Sequence, residues 1–138
     1  MNLRPIPPAE IAYEWELVRA GLLEVKKATT DDWLPEDVYM SIKQGQAALF
    51  VGEDEHGDYI GFVVLKLVNT YHGKRLDIWA AYCSGKQPAM RIYLPKIKAL
   101  ALAAGAQSIG FSSARPEWQA AAARIGFKPV QTTYELAL

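Results

Sequence analysis

The stretch RLDIWAAYCSGKQPAMRIYLPKIKALALAAG, residues 75–105, changes its period partway along. Residues 75–82 alternate, with Leu76, Ile78 and Ala80 on one predicted face, which is the pattern of a strand. Residues 83–87 form a tight connection. From Pro88 to about residue 104 the apolar positions Met90, Ile92, Leu94, Ile97, Leu100 and Ala101 recur at helical spacing, and Gly105 ends the helix. Pro95 lacks an N–H, so it either kinks this helix or marks its true start. The core reading is strand, short turn, helix.

Working outward, residues 59–68 are β-branched and apolar, and residues 47–51 are a shorter apolar run. The acidic turn at 53–58 joins them into a hairpin, and residues 69–74 turn back into the 75–82 strand. Earlier still, an extended opening at 3–8 leads to a helix over 9–27, with Ile11, Trp15, Val18, Leu22 and Val25 on one face. Residues 29–33 are polar and turn-like. Leu34-Pro35-Glu36-Asp37 opens a second helix, ending near Gly45, with Val38, Ile42 and Tyr39 inward. On the other side of the central stretch, residues 108–112 predict a strand and residues 116–125 an alanine-rich helix. Gly126 caps that helix, and residues 128–136 predict a final strand. This order predicts an α+β (α/β) three-layer fold with a central mixed sheet flanked by helices.

The chain has 138 residues, which fits one domain over 1–138. Its hydrophobic content of 51% is enough to bury a core, so disorder is not expected. No apolar run is long enough to cross a bilayer, and the opening MNLRPIPPAE is not a signal peptide, which predicts a cytoplasmic protein. One cysteine, Cys83, and two histidines, His56 and His72, predict no internal disulfide and no metal centre. The net charge of zero argues against a nucleic-acid partner, and no membrane partner is expected. That zero hides an asymmetry. Residues 1–69 hold 6 Lys/Arg against 12 Asp/Glu, a net of −6, and residues 70–138 hold 9 against 3, a net of +6. A polyanionic ligand would sit on the second half. The alternative is a dipolar protein whose halves attract each other.

Over nearly the whole chain, and most strongly over 75–136, the element order resembles the GNAT superfamily of acyl-CoA N-acyltransferases. In that family a strand ends in a glycine-rich turn, Arg/Gln-x-x-Gly-x-Gly/Ala, that opens a long helix. Its amides hold the coenzyme A pyrophosphate, because the uncapped N–H groups and the helix dipole make an anion site. The matching stretch is Ser84-Gly85-Lys86-Gln87-Pro88-Ala89. Gly85-Lys86 is similar to the Gly-Lys of many members, and Ala89 meets the final small-residue position. Ser84 stands where Arg or Gln is usual, and Gln87 where the central glycine is usual. Ile125-Gly126-Phe127 resembles a second landmark, in register with which Arg115 takes an Asn position and Ala122 a Tyr position. That tyrosine commonly protonates the leaving thiolate, which alanine cannot do.

The resemblance implies the acyl-CoA N-acyltransferase-like fold and acetyl-CoA as co-substrate. It implies an acceptor that is a small amine or a protein amino group, placed by residues 24–37 and 69–74. The implied cofactor-binding residues are Trp79 and Ala80, whose strand supplies the amide that polarises the thioester carbonyl, then Gly85, Lys86, Gln87, Ala89 and Met90 at the turn and helix mouth, and Arg115. Arg91, Lys96 and Lys98 offer a basic face for the 3′-phosphate, or else the solvent side of the helix. Asp77 is the candidate catalytic base; the alternative is an edge aspartate paired with Arg75 or Lys74. Tyr82 is the candidate replacement acid, with Tyr93 second; the alternative is half-buried packing. The competing function is a catalytically inactive GNAT-like binding or structural module. Small phage-encoded proteins of this type resemble the chain more loosely and serve in the virion or in host interaction. An oligomer is compatible with either reading.

Overall fold

The computed structural model describes residues 2–85 and 88–138. Strand β1 (Asn2–Ile6) leads through a single 3-10 turn (Pro8–Glu10) into helix α1 (Ile11–Lys26), followed by helix α2 (Pro35–Lys43). Then come β2 (Ala48–Glu53), β3 (Tyr59–Thr70), β4 (Gly73–Cys83), α3 (Ala89–Ala103), β5 (Ser108–Gly110) and α4 (Trp118–Arg124). The five strands form one sheet in chain order, antiparallel from β1 to β4, with β5 parallel to β4. Because one connection is a helical crossover and the rest are hairpins or returns, the sheet is mixed, as expected.

Each face of the sheet carries its own core. On one face, Ile11, Val18 and Leu22 of α1 and Val38 and Ile42 of α2 pack on Leu49, Val51, Phe62 and Val64. On the other, Tyr93, Leu94, Ile97 and Ala101 of α3 pack on Val63, Leu65, Leu76 and Ile78. The predicted three-layer α+β architecture is therefore the observed one.

Four local expectations change. The opening residues are a true edge strand, zipped to β2 from Asn2↔Glu53 to Ile6↔Leu49. Pro95 does not start α3 but lies within it on the exposed side, where the carbonyl it leaves unpaired can meet water. Residues 128–136 join no strand: the sheet ends on β5, which is only three residues long, and Val130, Tyr134 and Leu136 are exposed. Finally, Ala80 does not share a face with Leu76 and Ile78. Val64 pairs with Ala80 and Leu65 with Ile78, so Trp79 is an extra residue in β4. This β-bulge inverts the alternation. Ile78 faces α3, whereas Trp79 and Ala80 both face α1.

Tyr93 is fully buried, and its hydroxyl donates to the Tyr82 carbonyl at 2.9 Å. Burial pushes that hydroxyl above the usual tyrosine range. The bond ties α3 to the far end of β4, just before the turn that opens the helix.

Candidate active site

The outer side of β4 is paired only at its beginning. Arg75, Leu76 and Asp77 match Ser108, Ile109 and Gly110. Over that pairing lies a two-point ion pair, Arg75 Nε to Asp77 Oδ1 at 2.5 Å and Arg75 Nη2 to Asp77 Oδ2 at 3.0 Å. Gly110 lets the pair lie close, since a Cβ there would stand 2.8 Å from Asp77 Oδ1. After Gly110 the chain leaves the sheet and β4 continues, paired with β3 alone. The backbone of residues 78–81 thus keeps one side free of any strand partner, and the bulge at Trp79 adds a residue that β3 does not match. Amides freed in this way are hydrogen-bond donors waiting for an acceptor.

A cleft of about 160 Å³ occupies the space where β4 and the departing chain separate. Its floor is Ile78, Trp79, Ala80 and Ala81 of β4. One wall is the end of α1 and the loop after it, with Val25, Thr29, Asp31 and Trp33. The opposite wall is Phe111, Ser112, Ser113, Arg115 and Trp118. Trp118 packs edge-on against Phe111 at 4.9 Å, and Phe111 packs on Phe127 at 5.0 Å, which fixes that wall to the α3-side core. Trp79 is set by Trp33, edge-on at 6.2 Å, and by Lys66, whose ammonium lies 3.5 Å from the indole centre.

Met90, in the first turn of α3, closes one end of the cleft. The helix N-terminus has no side-chain cap and no acidic residue. The first helical amides that bond within the chain are those of Arg91 and Ile92, both to the Pro88 carbonyl. The N–H groups of Ala89 and Met90 precede that ladder and, among the described residues, donate to nothing, which suits an anion. Gly85 is exposed, and a Cβ there would meet only Cys83 Sγ at 3.9 Å. Ser84 is committed, since both its amide and its hydroxyl donate to the Ile60 carbonyl. Lys86 and Gln87 lie outside the described residues.

The structure therefore brings Trp79, Ala80, Met90 and Arg115 together around one cleft, with Ala89 next to Met90 in α3; Gly85 is not among the residues that line it. Arg115 is exposed and only loosely paired, 3.8 Å from Glu117. Asp77 and Tyr82 stand outside the lining. Both oxygens of Asp77 engage Arg75, as in the edge-pair alternative. Tyr82 stacks on Phe62 at 5.9 Å and faces α1, where Gly21 leaves room for its ring. Ala122 presents no proton donor. Asp31, Trp33, Phe111, Ser112 and Ser113 are cleft residues that the phosphate-turn motif does not point to; residue 31 falls within the segment expected to place the acceptor. Among the described residues, no group of three His, Cys, Asp or Glu side chains converges on a metal position, and no helix is long and apolar enough to cross a membrane.

No protein-family profile and no curated protein matches this sequence. Solved structures do match in shape. A probable acetyltransferase superposes with a TM-score of 0.71 at 14% identity, covering 100% of this chain and 98% of its own. An aminoglycoside acetyltransferase from an uncultured soil metagenomic sample gives 0.66 at 13% identity, covering 99% and 97%. A predicted acetyltransferase with acetyl-CoA from Clostridium acetobutylicum gives 0.65 at 16% identity, covering 99% and 95%. The chain has the fold of these acetyltransferases, the acyl-CoA N-acyltransferase-like fold.

Proposed function

We propose that this protein is an acetyl-CoA-dependent N-acetyltransferase that acts on an amine, working in the cleft beside β4. The observation that carries the reading is the free, bulged edge of β4 running to the uncapped mouth of α3. Acetyl-CoA supplies a thioester whose acetyl group passes to the amine nitrogen, forming a C–N bond and breaking the C–S bond. Those backbone groups of residues 78–81 that point away from β3 suit an acyl carbonyl and the amide groups of an extended chain. The free amides of Ala89 and Met90 suit the diphosphate, and Arg115 adds positive charge on the opposite wall. The positive second half of the chain supports an anionic co-substrate on this side.

Proton handling is sparse. Ala122 cannot act as an acid, Tyr82, the candidate acid, is packed on Phe62, and Asp77, the candidate base, is paired with Arg75. A thiolate is a good enough leaving group to depart unassisted, so positioning is the main contribution this chain makes. In this reading Asp77 is a positioning residue: its ion pair with Arg75 lies within β4, over the pairing with Ser108–Gly110 where the cleft begins.

Release of free thiol from acetyl-CoA in the presence of a panel of primary amines tests the proposal. Turnover above the amine-free rate is expected. Asp77→Asn should lower it by less than about threefold, since a partly exposed ion pair contributes roughly 0–1 kcal/mol. A loss of 100-fold or more with the cofactor still bound would restore Asp77 as the base. Tight acetyl-CoA binding with no transfer to any amine would favour the inactive binding module, which the alanine at residue 122 also suits.

A further inference from the structure

We infer that Asp31 is the acceptor-recognising residue, and that the acceptor is a compact primary amine entering as its ammonium ion. The ammonium gives its proton to solvent water before the neutral nitrogen attacks; the adduct's second proton and the one the thiolate gains are also exchanged with water. This rests on the reading of the cleft as an acetyl-transfer site.

Asp31 and Arg115 are the only charged side chains among the described residues lining the cleft, and they stand on opposite walls. Arg115 belongs to the wall near the basic half of the chain. Asp31 gives the other wall its one carboxylate. That carboxylate is held in place. Its Oδ2 accepts from the indole Nε1 of Trp33 at 3.3 Å, and Trp33 is buried in the α1-side core. Its own amide donates to Thr29 Oγ1 at 3.1 Å. Lys26 braces the same loop by donating to the backbone carbonyls of Asp31 and Trp33, with its ammonium over the Trp33 ring.

Asp32 has no side-chain hydrogen bond or ion pair among the described residues but does not line the cleft, and the other acids nearby are engaged. Glu24 pairs with Lys27, Glu36 pairs with Arg19, and Asp37 accepts from the Leu34 amide. Asp31 forms no ion pair among the described residues, and its Oδ1 accepts nothing there. An oriented carboxylate with one oxygen open, the one negative charge among the described lining residues, matches an ammonium group. The small cleft limits the body that follows it. An acceptor carrying its own carboxylate near the amine would set like charge against Asp31 and be rejected.

The test is steady-state acetylation of three probes, n-butylamine, 1,4-diaminobutane and γ-aminobutyrate, with acetyl-CoA binding followed separately by calorimetry. The wild-type protein should use the first two and discriminate against the third. Asp31→Asn should raise KM for n-butylamine about tenfold, the loss expected of one charge-assisted hydrogen bond in a part-solvated cleft. Acetyl-CoA affinity should stay within twofold, and the discrimination against γ-aminobutyrate should shrink. Trp33→Phe, which removes only the positioning N–H donor and some bulk, should raise the same KM less. An unchanged KM in Asp31→Asn overturns the inference. So does a wild-type protein that binds acetyl-CoA yet acetylates neither n-butylamine nor 1,4-diaminobutane. Absence of acetyl-CoA binding would instead remove the transferase reading itself, and this inference with it.

Discussion

Gly61→Ala is expected to destabilise the protein by about 4 kcal/mol or more, the range reserved for backbone clashes and strain at a special position. Gly61 lies in β3 opposite Cys83 and has φ +154°. A Cβ at this position would overlap the Tyr82 carbonyl oxygen and come within 2.5 Å of the Tyr93 hydroxyl. Neither neighbour can yield cheaply. The carbonyl is backbone, and it already accepts the Tyr93 hydroxyl that docks α3. Relief would require pushing the end of β4 away from β3, at the point where the turn toward α3 begins. Since whole domains are stable by only about 5–15 kcal/mol, the variant should be largely unfolded or close to it. Urea denaturation followed by circular dichroism measures this. Gly45→Ala is the comparison, because Gly45 also has a positive φ, 77°, but a Cβ there would meet nothing within 4 Å. It should lose only about 1–2 kcal/mol from the left-handed backbone. Equal losses in the two variants would show that the crowding around Tyr82 is not what Gly61 relieves.

Ser112→Trp should weaken acetyl-CoA binding by about 100-fold or more while leaving the fold intact. Ser112 is exposed on the wall opposite the Asp31 loop and takes no part in either core. An indole there fills a cleft of about 160 Å³ from the solvent side. Overpacking costs arise in closed cores, so thermal stability should move by less than about 1 kcal/mol. Calorimetric titration with acetyl-CoA reads the binding, and urea denaturation without ligand reads the fold. Wild-type affinity in a folded variant would mean that the ligand binds elsewhere.

Much of the fold could be read from local pattern. The helical stripe of Ile11, Val18 and Leu22, the hairpin around the acidic turn and the strand–turn–helix at 75–105 all report their structure within a few residues. What was hidden depends on partners far away in sequence. A bulge is one inserted residue, and nothing in Ile78-Trp79-Ala80-Ala81 distinguishes it from an unbroken strand until β3 fixes the register. The assignment of Ala80 to the wrong face follows from that. The alternation of Val130, Tyr134 and Leu136 has the strand period, but a strand needs an edge to pair with, and the three residues of β5 offer little.

The site divides the same way. Trp79, Ala80, Met90 and Arg115 lie around the cleft because the resemblance places them by order along β4, α3 and the segment after β5. Asp77 and Tyr82 were singled out as residue types able to move protons. In the fold Asp77 is engaged by Arg75 and Tyr82 stacks on Phe62, contacts that the sequence alone does not order. Asp31 carries no motif, and its importance rests on a loop folded across the end of the sheet.

Amide hydrogen exchange on the folded protein, with and without saturating acetyl-CoA, tests the central claim most directly. The account predicts slowed exchange confined to residues 78–81 of β4 and to Ala89 and Met90, with the β1–β2 and β2–β3 pairings unchanged. Unaltered exchange along that edge, or protection appearing only at a distant surface, would contradict it.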